Sequence, residues 1–431
     1  MTKKELYESK KRTLQECLDV IQSGDTIMHA GYGDEPINLL RQLHTIADRV
    51  KDVNVWVGLG NDRYLFNVLP DMAGKINTLT VFYGQNCREA HPRGNVTLLP
   101  THLHCGYQEI MRHGRHNVFL AAVTPMDEFG FVRTSLDMQW TQESINEADT
   151  VIFEINPNLP LVHGLTQIPI EKATYVVEVD TPMPVLPEGS ATEEEKAIAK
   201  YVSSLVKDGD TIQMGIGGMP NAVTAELMDK RDLGIHTEMI TSGMAKLMKA
   251  GAVTGFKKTL HREKVVGAFA FGTQELYDYM DGNPVFHMMP AAYVNDPFVI
   301  AQNDNMVSIN TALQIDLTGQ VCSESIGPKQ YSGTGGASDF AYGAFHSKGG
   351  RGIIAIGSTT KGGTISRIQP FLTPGSIVTI SRNIVDYIVT EYGIAPMRGR
   401  TVRQRVENLI AVAHPNFRSE LRDYANKAML W

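Results

Sequence analysis

At 431 residues the chain is long enough for two or three domains and for sizeable buried cores. Hydrophobic residues make up 42% and charged residues 20%, as in ordinary globular proteins, and no apolar run approaches the length of a membrane span. A net charge of −7 and a pI near 6.0 argue against a nucleic-acid partner, while leaving room for an anionic small ligand held by local backbone dipoles.

The N-terminal Met1-Thr-Lys-Lys-Glu-Leu6 lacks the apolar core of a signal peptide. Cys17, Cys87, Cys105 and Cys322 are scattered with no CxxC pair, which fits a reduced protein of the cytoplasm better than a disulfide framework. His102 and His104 lie near Cys105, but no second ligand pair of the usual spacing follows, so no metal site is expected.

Along the chain, Thr13 and Glu16 form a Thr-x-x-Glu capping box before the apolar stripe Leu14, Cys17, Leu18 and Ile21. Val20-Ile-Gln-Ser-Gly-Asp-Thr-Ile-Met-His-Ala-Gly-Tyr-Gly-Asp-Glu-Pro36 then gives a Gly-Asp turn, a short strand and a glycine-rich turn closed by proline. The same sequence of features returns in Leu205-Val-Lys-Asp-Gly-Asp-Thr-Ile-Gln-Met-Gly-Ile-Gly-Gly-Met-Pro220, with Gly24 and Gly209 offset by 185 residues. Val123-Thr-Pro-Met-Asp-Glu-Phe-Gly-Phe-Val132 resembles Ala312-Leu-Gln-Ile-Asp-Leu-Thr-Gly-Gln-Val321 at an offset of 189. A looser pair sets Ala148–Glu154 against Val385–Glu391. Collinear matches at such a period indicate a duplicated domain rather than a solenoid.

The proline-rich stretch Thr181-Pro-Met-Pro-Val-Leu-Pro-Glu-Gly189 reads as an extended linker, followed by a helix that the Thr192/Glu195 capping box opens. Short β-branched runs such as Thr150–Glu154, Gly352–Ile356 and Ser376–Ile380 alternate with helical patterns, as expected of parallel strands covered on both faces. The expected architecture is two duplicated open α/β domains, residues 1–186 and 187–431, with a cleft between them.

The halves differ where chemistry would sit. Asp232-Leu-Gly-Ile-His-Thr-Glu238 falls opposite Asp52-Val-Asn-Val-Trp-Val-Gly58, so only the second half carries Glu238. A lone Glu is as a rule a solvated surface charge. The asymmetry, and a glycine-rich turn about twenty residues upstream, raise the alternative of a nucleophile toward an activated acyl group. In that turn Gly215, Gly217 and Gly218 permit positive φ, and the amides of the helix that follows suit a phosphate or an oxyanion; a plain tight turn is the competing reading. The spacing Gly-x-Gly-Gly-x-Pro departs from the dinucleotide fingerprint. A second stretch, Tyr331-Ser-Gly-Thr-Gly-Gly-Ala-Ser-Asp-Phe340, is either a flexible loop or a second ligand loop. Ser358-Thr-Thr-Lys-Gly-Gly-Thr364 offers Lys361 to a phosphate, or to solvent.

Taken in order, Gly215–Pro220, Leu233-Gly-Ile-His-Thr-Glu-Met239, Tyr293-Val-Asn-Asp-Pro297, Gly333–Phe340, Ser381-Arg-Asn383 and Val389-Thr-Glu-Tyr-Gly393 resemble the acetyl-CoA hydrolase/transferase family, in particular its 4-hydroxybutyrate and butyrate CoA-transferases. The resemblance implies a duplicated CoA-transferase-type fold with Glu238 as nucleophile. It further implies that Gly215, Ile216, Gly217, Gly218 and Met219 lie on coenzyme A and that Gly335 and Gly336 lie beside the acyl thioester. Coenzyme A would then be a substrate, with no tightly bound cofactor. Ala337, Ser242-Gly243 and the loop Ala30–Pro36 depart from the family's usual residues, so the acceptor acid is not specified.

A carboxylate suits this chemistry because each acyl derivative it forms, anhydride or thioester, stays activated, whereas a Ser ester would not. The oxyanions need donors, for which the amides of Gly217, Gly218, Gly335 and Gly336 are candidates. His236, two residues before Glu238, either orients it or is a packed strand histidine. An acyl-CoA hydrolase on the same fold and a non-catalytic metabolite-binding protein are the alternative functions, and a homo-oligomer is the base-rate expectation.

Overall fold

Each half opens its sheet in the same way. In the computed structural model, which describes residues 1–430, Gly24 and Gly209 lie at φ +83° and +81°. Asp25 and Asp210 fold back to accept the amides of Gln22 and Lys207, three residues earlier, at 2.7 and 2.6 Å. The chain forms two compact units, residues 1–186 with 266–294, and 187–265 with 295–431.

The first unit contains strands β1 (Thr26–His29), β2 (Val53–Val57), β3 (Ile76–Thr80), β4 (Val96–Leu98), β5 (Val118–Val123), β6 (Thr150–Ile155) and β7 (Tyr175–Glu178). They form one parallel sheet in the order β4-β3-β2-β1-β5-β6-β7. Five of the six residues of β6 and all six of β5 are buried, as parallel strands covered on both faces require. The Thr13/Glu16 box opens helix α1 (Leu14–Asp19), whose Cys17 and Leu18 join the core on one face of the sheet.

The second unit repeats the plan. Its strands β8 (Thr211–Met214), β9 (Gly234–Ile240), β10 (Met306–Thr311), β11 (Arg351–Ala355), β12 (Tyr387–Thr390) and β13 (Gly393–Pro396) run in the order β9-β8-β10-β11-β12-β13, parallel except for the last pair. The Thr192/Glu195 box opens helix α2 (Glu193–Leu205), and the turn after β8 leads into helix α3 (Gly218–Glu226). Helix α4 (Ala337–His346) packs on β10 and β11.

Registers make the repeat concrete. Thr26 faces Asn54 across β1 and β2, and Thr211 faces Gly234 across β8 and β9. Asp52 and Asp232, two residues before those partners, both adopt left-handed backbone, φ +58° and +55°. Asp127 and Asp316 form matching loops as well: Asp127 Oδ1 accepts the amides of Phe129 and Phe131, and Asp316 Oδ1 those of Thr318 and Gln320.

Two expectations change. The looser pairing of 148–154 with 385–391 does not hold. β6 pairs with β5 and corresponds in sheet position to β11, whereas β12 takes the position of β7. Ser376–Ile380 is not a strand: only Ile380 makes a bridge, to Val321, while Ile377 and Val378 are 46% and 43% exposed. Its β-branched residues lie beside Ser325 and Val321 on an outer loop, where no second face is covered.

Among the described residues no helix is long and apolar enough to cross a membrane, and no group of three or more His, Cys, Asp or Glu is arranged to hold a metal.

Lys258 enters the base of β9. It is buried, and its Nζ donates to the carbonyls of Ile235 and Lys264 at 2.8 and 2.7 Å. Burial pushes its amine down to about 7. Gly234 makes this possible, because a Cβ there would collide with Lys258 Cγ and crowd Thr211 Oγ1. Gly234→Ala should therefore lower the unfolding free energy by about 1–3 kcal/mol, measured by urea denaturation, through overpacking in the core.

Candidate active site

Parallel α/β sheets bind ligands beyond the carboxyl ends of their strands. Glu238 lies near that end of β9, inside the strand rather than after it, and is half-buried. Glu238 lies four residues beyond Gly234, the residue that faces Thr211. The same count in the first unit arrives at Gly58, so the two halves differ at equivalent backbone positions.

The carboxylate is enclosed from two sides within its unit. Asn295 Nδ2 donates to Glu238 Oε2 at 2.8 Å, and Asn295 is fully buried. On the other side, Gly336 ends the loop before α4, with Gly335 at φ +52°. A Cβ on Gly336 would overlap Glu238 Oε2 and crowd Asn295 Nδ2, so only glycine fits. The Gly336 amide lies against the carboxylate as well, at the N-terminal end of a ten-residue helix.

Burial is the largest influence on this group and raises its pKa from an ordinary 4.5 to about 7. The hydrogen bond from Asn295 opposes the rise, the charge of buried Asp339 in the first turn of α4 adds to it, and the Gly336 amide opposes it. Protein packed around the carboxyl supplies the desolvation. The result is a carboxylate that is more basic than usual and whose Oε2 already faces hydrogen-bond donors.

The other candidate residues are placed as follows. Gly217 caps α3 at φ +115° with no side-chain cap, and Gly218 begins the helix. Of the three turn glycines only Gly217 needs positive φ; Gly218 is required instead by the carboxylate of Glu195, which lies where its Cβ would go. Ile216 is 39% exposed, and Met219 is buried. Lys361 lies on the exposed turn of a hairpin formed by Thr359–Thr360 and Ile365–Ser366. His236 is buried, with its ring centroid 6.2 Å from that of Phe340; this contact packs β9 against α4, as the strand-histidine reading requires.

Asn295 and Asp339 were not singled out from the sequence, and Glu195 was read there only as part of a helix cap. Asn295 lies in the Tyr293–Pro297 motif, and the signal beside it is Asp296-Pro297, which caps a short helix: Asp296 Oδ1 accepts the Phe298 amide at 2.8 Å. Nothing in the sequence across a separation of 57 residues announces that Asn295 meets Glu238.

Comparisons with known proteins decide the family. A model described as the acetyl-CoA hydrolase/transferase N-terminal domain matches residues 1–187, and one described as the C-terminal domain matches residues 272–425. The chain belongs to the acetyl-CoA hydrolase/transferase family. It is 42% identical to a succinyl-CoA:cyclohexane-1-carboxylate CoA transferase of Geobacter metallireducens, over 98% of this chain and 96% of that one. It is 39% identical to a 4-hydroxybutyrate coenzyme A transferase of Clostridium kluyveri, over 98% and 99%. Among solved structures, RipA from Yersinia pestis superposes with a TM-score of 0.95 at 35% identity, each chain covered completely. A 4-hydroxybutyrate CoA-transferase of Porphyromonas gingivalis gives 0.83 at 34% identity, over 99% of this chain and 100% of that one. The protein is an enzyme of the CoA-transferase class.

In this enzyme the fit of Gly336 against Glu238 is the tightest constraint at the site. Gly336→Ala should leave circular dichroism close to that of the parent protein and lower kcat/KM by at least about a hundredfold, since a displacement of about 1 Å at a reacting group costs that much.

Proposed function

We propose that the enzyme moves coenzyme A from an acyl-CoA to a small carboxylic acid through a glutamyl-CoA thioester on Glu238. The single observation that carries this reading is the Glu238 carboxylate, desolvated and held between Asn295 and Gly336.

The carboxylate oxygen not held by Asn295, Oε1, attacks the thioester carbonyl of the acyl-CoA. The C–S bond breaks, leaving a mixed anhydride and coenzyme A thiolate. The thiolate then attacks Glu238 Cδ, the bond from Cδ to the bridging oxygen breaks, and the donor acid leaves as its carboxylate. During that attack negative charge collects on Oε2, where Asn295 Nδ2 already stands at 2.8 Å with the Gly336 amide beside it. An acceptor carboxylate reverses the sequence: it displaces thiolate from the glutamyl carbonyl, and thiolate attack on the acceptor's own carbonyl regenerates Glu238. No proton is consumed, and the thioester energy passes through activated intermediates throughout.

Desolvation has a purpose in this scheme. It keeps the carboxylate basic enough to compete with a thiolate, and it limits the water that would hydrolyse the anhydride. The enzyme's relatives are named for succinate, butyrate, 4-hydroxybutyrate and cyclohexanecarboxylate transfers. Acetyl-, butyryl- or succinyl-CoA as donor, and butyrate or 4-hydroxybutyrate as acceptor, are proposed on that basis. Action in the cytoplasm as a symmetric homo-oligomer is part of the same proposal.

Intact-protein mass spectrometry tests the intermediate. Incubation with butyryl-CoA and no acceptor should add coenzyme A less one water to the chain at Glu238, and Glu238→Gln should show no adduct and no exchange. An unmodified chain that steadily releases butyrate would instead identify a hydrolase.

The pH profile tests the state of the nucleophile. Because the free carboxylate must be ionised, kcat/KM should rise with pH to a plateau above about 7 and fall tenfold per unit below it. Asn295→Ala removes a donor that favours the ionised form, so its acid limb should move to higher pH while kcat drops by about a hundredfold to a thousandfold. An unmoved acid limb in that variant would separate Asn295 from the nucleophile.

A further inference from the structure

A glycine loop does not hold itself in place. Gly335 and Gly336 have no side chains, and glycine has the widest backbone freedom of any residue. Yet the fit of Gly336 against Glu238 Oε2 tolerates no added carbon. Neighbouring residues must therefore fix the pair.

Both flanks of the pair lead to one buried group, Glu324, which is 6% exposed. Glu324 stands just before a short hairpin of Ser325–Ile326 and Lys329–Gln330, which turns the chain back on itself. Its carbonyl accepts the amides of Tyr331 and Ser332 at 2.8 and 2.9 Å, so the glycine-rich loop starts from a fixed point. The side chain continues the clamp. Oε1 accepts a hydrogen bond from Thr379 Oγ1 at 2.9 Å and a longer one from Thr334 Oγ1 at 3.4 Å. Oε2 accepts one from Gln330 Nε2 at 3.4 Å, and the same Nε2 donates to the Ser332 carbonyl at 2.7 Å. Beyond the glycines, Ser338 Oγ in the first turn of α4 donates to the Thr379 carbonyl at 2.5 Å. Thr334 and Ser338, two residues before and two after Gly336, are thus tied to the Glu324–Thr379 pair.

A carboxylate is costly to bury unless donors reach its oxygens. Every side-chain donor described at Glu324 comes from Gln330, Thr334 or Thr379. The loop and the buried group therefore fix each other. The outer segment Ser376–Ile380 gains a purpose by the same contacts, since it brings Thr379 to the junction. Thr379 Oγ1 is itself anchored there, accepting the Ser323 amide at 3.0 Å.

We propose that Glu324 is a positioning residue of the transfer reaction: through Thr379 and the segment Gln330–Thr334 it sets Gly336 against the Glu238 carboxylate. This rests on Glu238 as the attacking group.

Double-variant kinetics test it, with butyryl-CoA as donor and 4-hydroxybutyrate as acceptor. Residues that act through one shared contact lose that contact only once. Glu324→Ala should lower kcat about a hundredfold, as a displacement of about 1 Å at a reacting group does, and leave KM within about threefold. In a Gly336→Ala background the same change should lower kcat by less than about threefold more. Glu324→Gln keeps an oxygen toward the two threonines and should recover most of the loss. Thr379→Val removes one hydroxyl link and should lower kcat about tenfold, again only where Gly336 is intact. If Glu324→Ala does not fold, these two milder variants decide the matter. Losses that multiply in the double variants would make Glu324 independent of Gly336 and overturn the proposal. Unchanged kcat, or a rise in KM alone, would overturn it as well and leave Glu324 as part of the scaffold. The two readings fail separately in intact-protein mass spectrometry with butyryl-CoA alone. A parent chain that takes up no coenzyme A refutes Glu238 as nucleophile. A Glu324→Ala chain that takes it up at the parent rate refutes the role given to Glu324.

Discussion

The site depends on a carboxylate held out of water without a counter-ion. Among the described residues no Lys or Arg pairs with Glu238; its partners are an amide side chain, a backbone amide and a nearby like charge. A cation would have lowered the pKa. Neutral donors instead solvate one oxygen enough to keep the group ionisable near neutrality while leaving it reactive. Gly336 belongs to this arrangement through what it lacks, since any side chain would take the volume that Oε2 occupies.

The duplicated scaffold explains how one half came to hold such a group. Matching registers bring Gly58 and Glu238 to the same position, at the carboxyl end of the second strand in each half. The turn before helix α3 diverged too: Tyr32, at φ +54°, corresponds to Gly217 at +115°. In the first unit that tyrosine stacks on Phe269 with ring centroids 3.9 Å apart, and Asp34 is buried where it accepts the amides of Ser135, Leu136 and Asp137. The first copy's turn is thus filled by its own side chains, whereas the second stays open along Gly215 and Gly217, where a Cβ would touch nothing within 4 Å.

Much of this was legible in sequence because it is local. Capping boxes at Thr13 and Thr192, the Gly-Asp turns and the loops at Asp127 and Asp316 depend on residues two to four apart; the boxes and turns form as read, and the two loops match in backbone as they do in sequence. Ser376–Ile380 misled because β-branched residues signal a strand only where neighbours cover both faces, and burial is decided elsewhere in the chain. Residues 266–294 join the first unit although no shift in composition marks them. Asn295 was invisible for a similar reason: one hydrogen bond across 57 residues leaves no periodic trace. Gly218 was visible, but the carboxylate 23 residues upstream that lies where its Cβ would go was not.

The paired left-handed aspartates, Asp52 and Asp232, have a meaning for ancestry. Non-glycine residues seldom hold that backbone conformation, yet both copies keep it within a few degrees while most residues around them have changed. Here the aspartate and its left-handed torsion have been kept together amid changed neighbours, so the two copies preserve a common inheritance in their backbone shape. A half-length ancestor would be recognised by its sequence of turns after its letters had drifted beyond alignment.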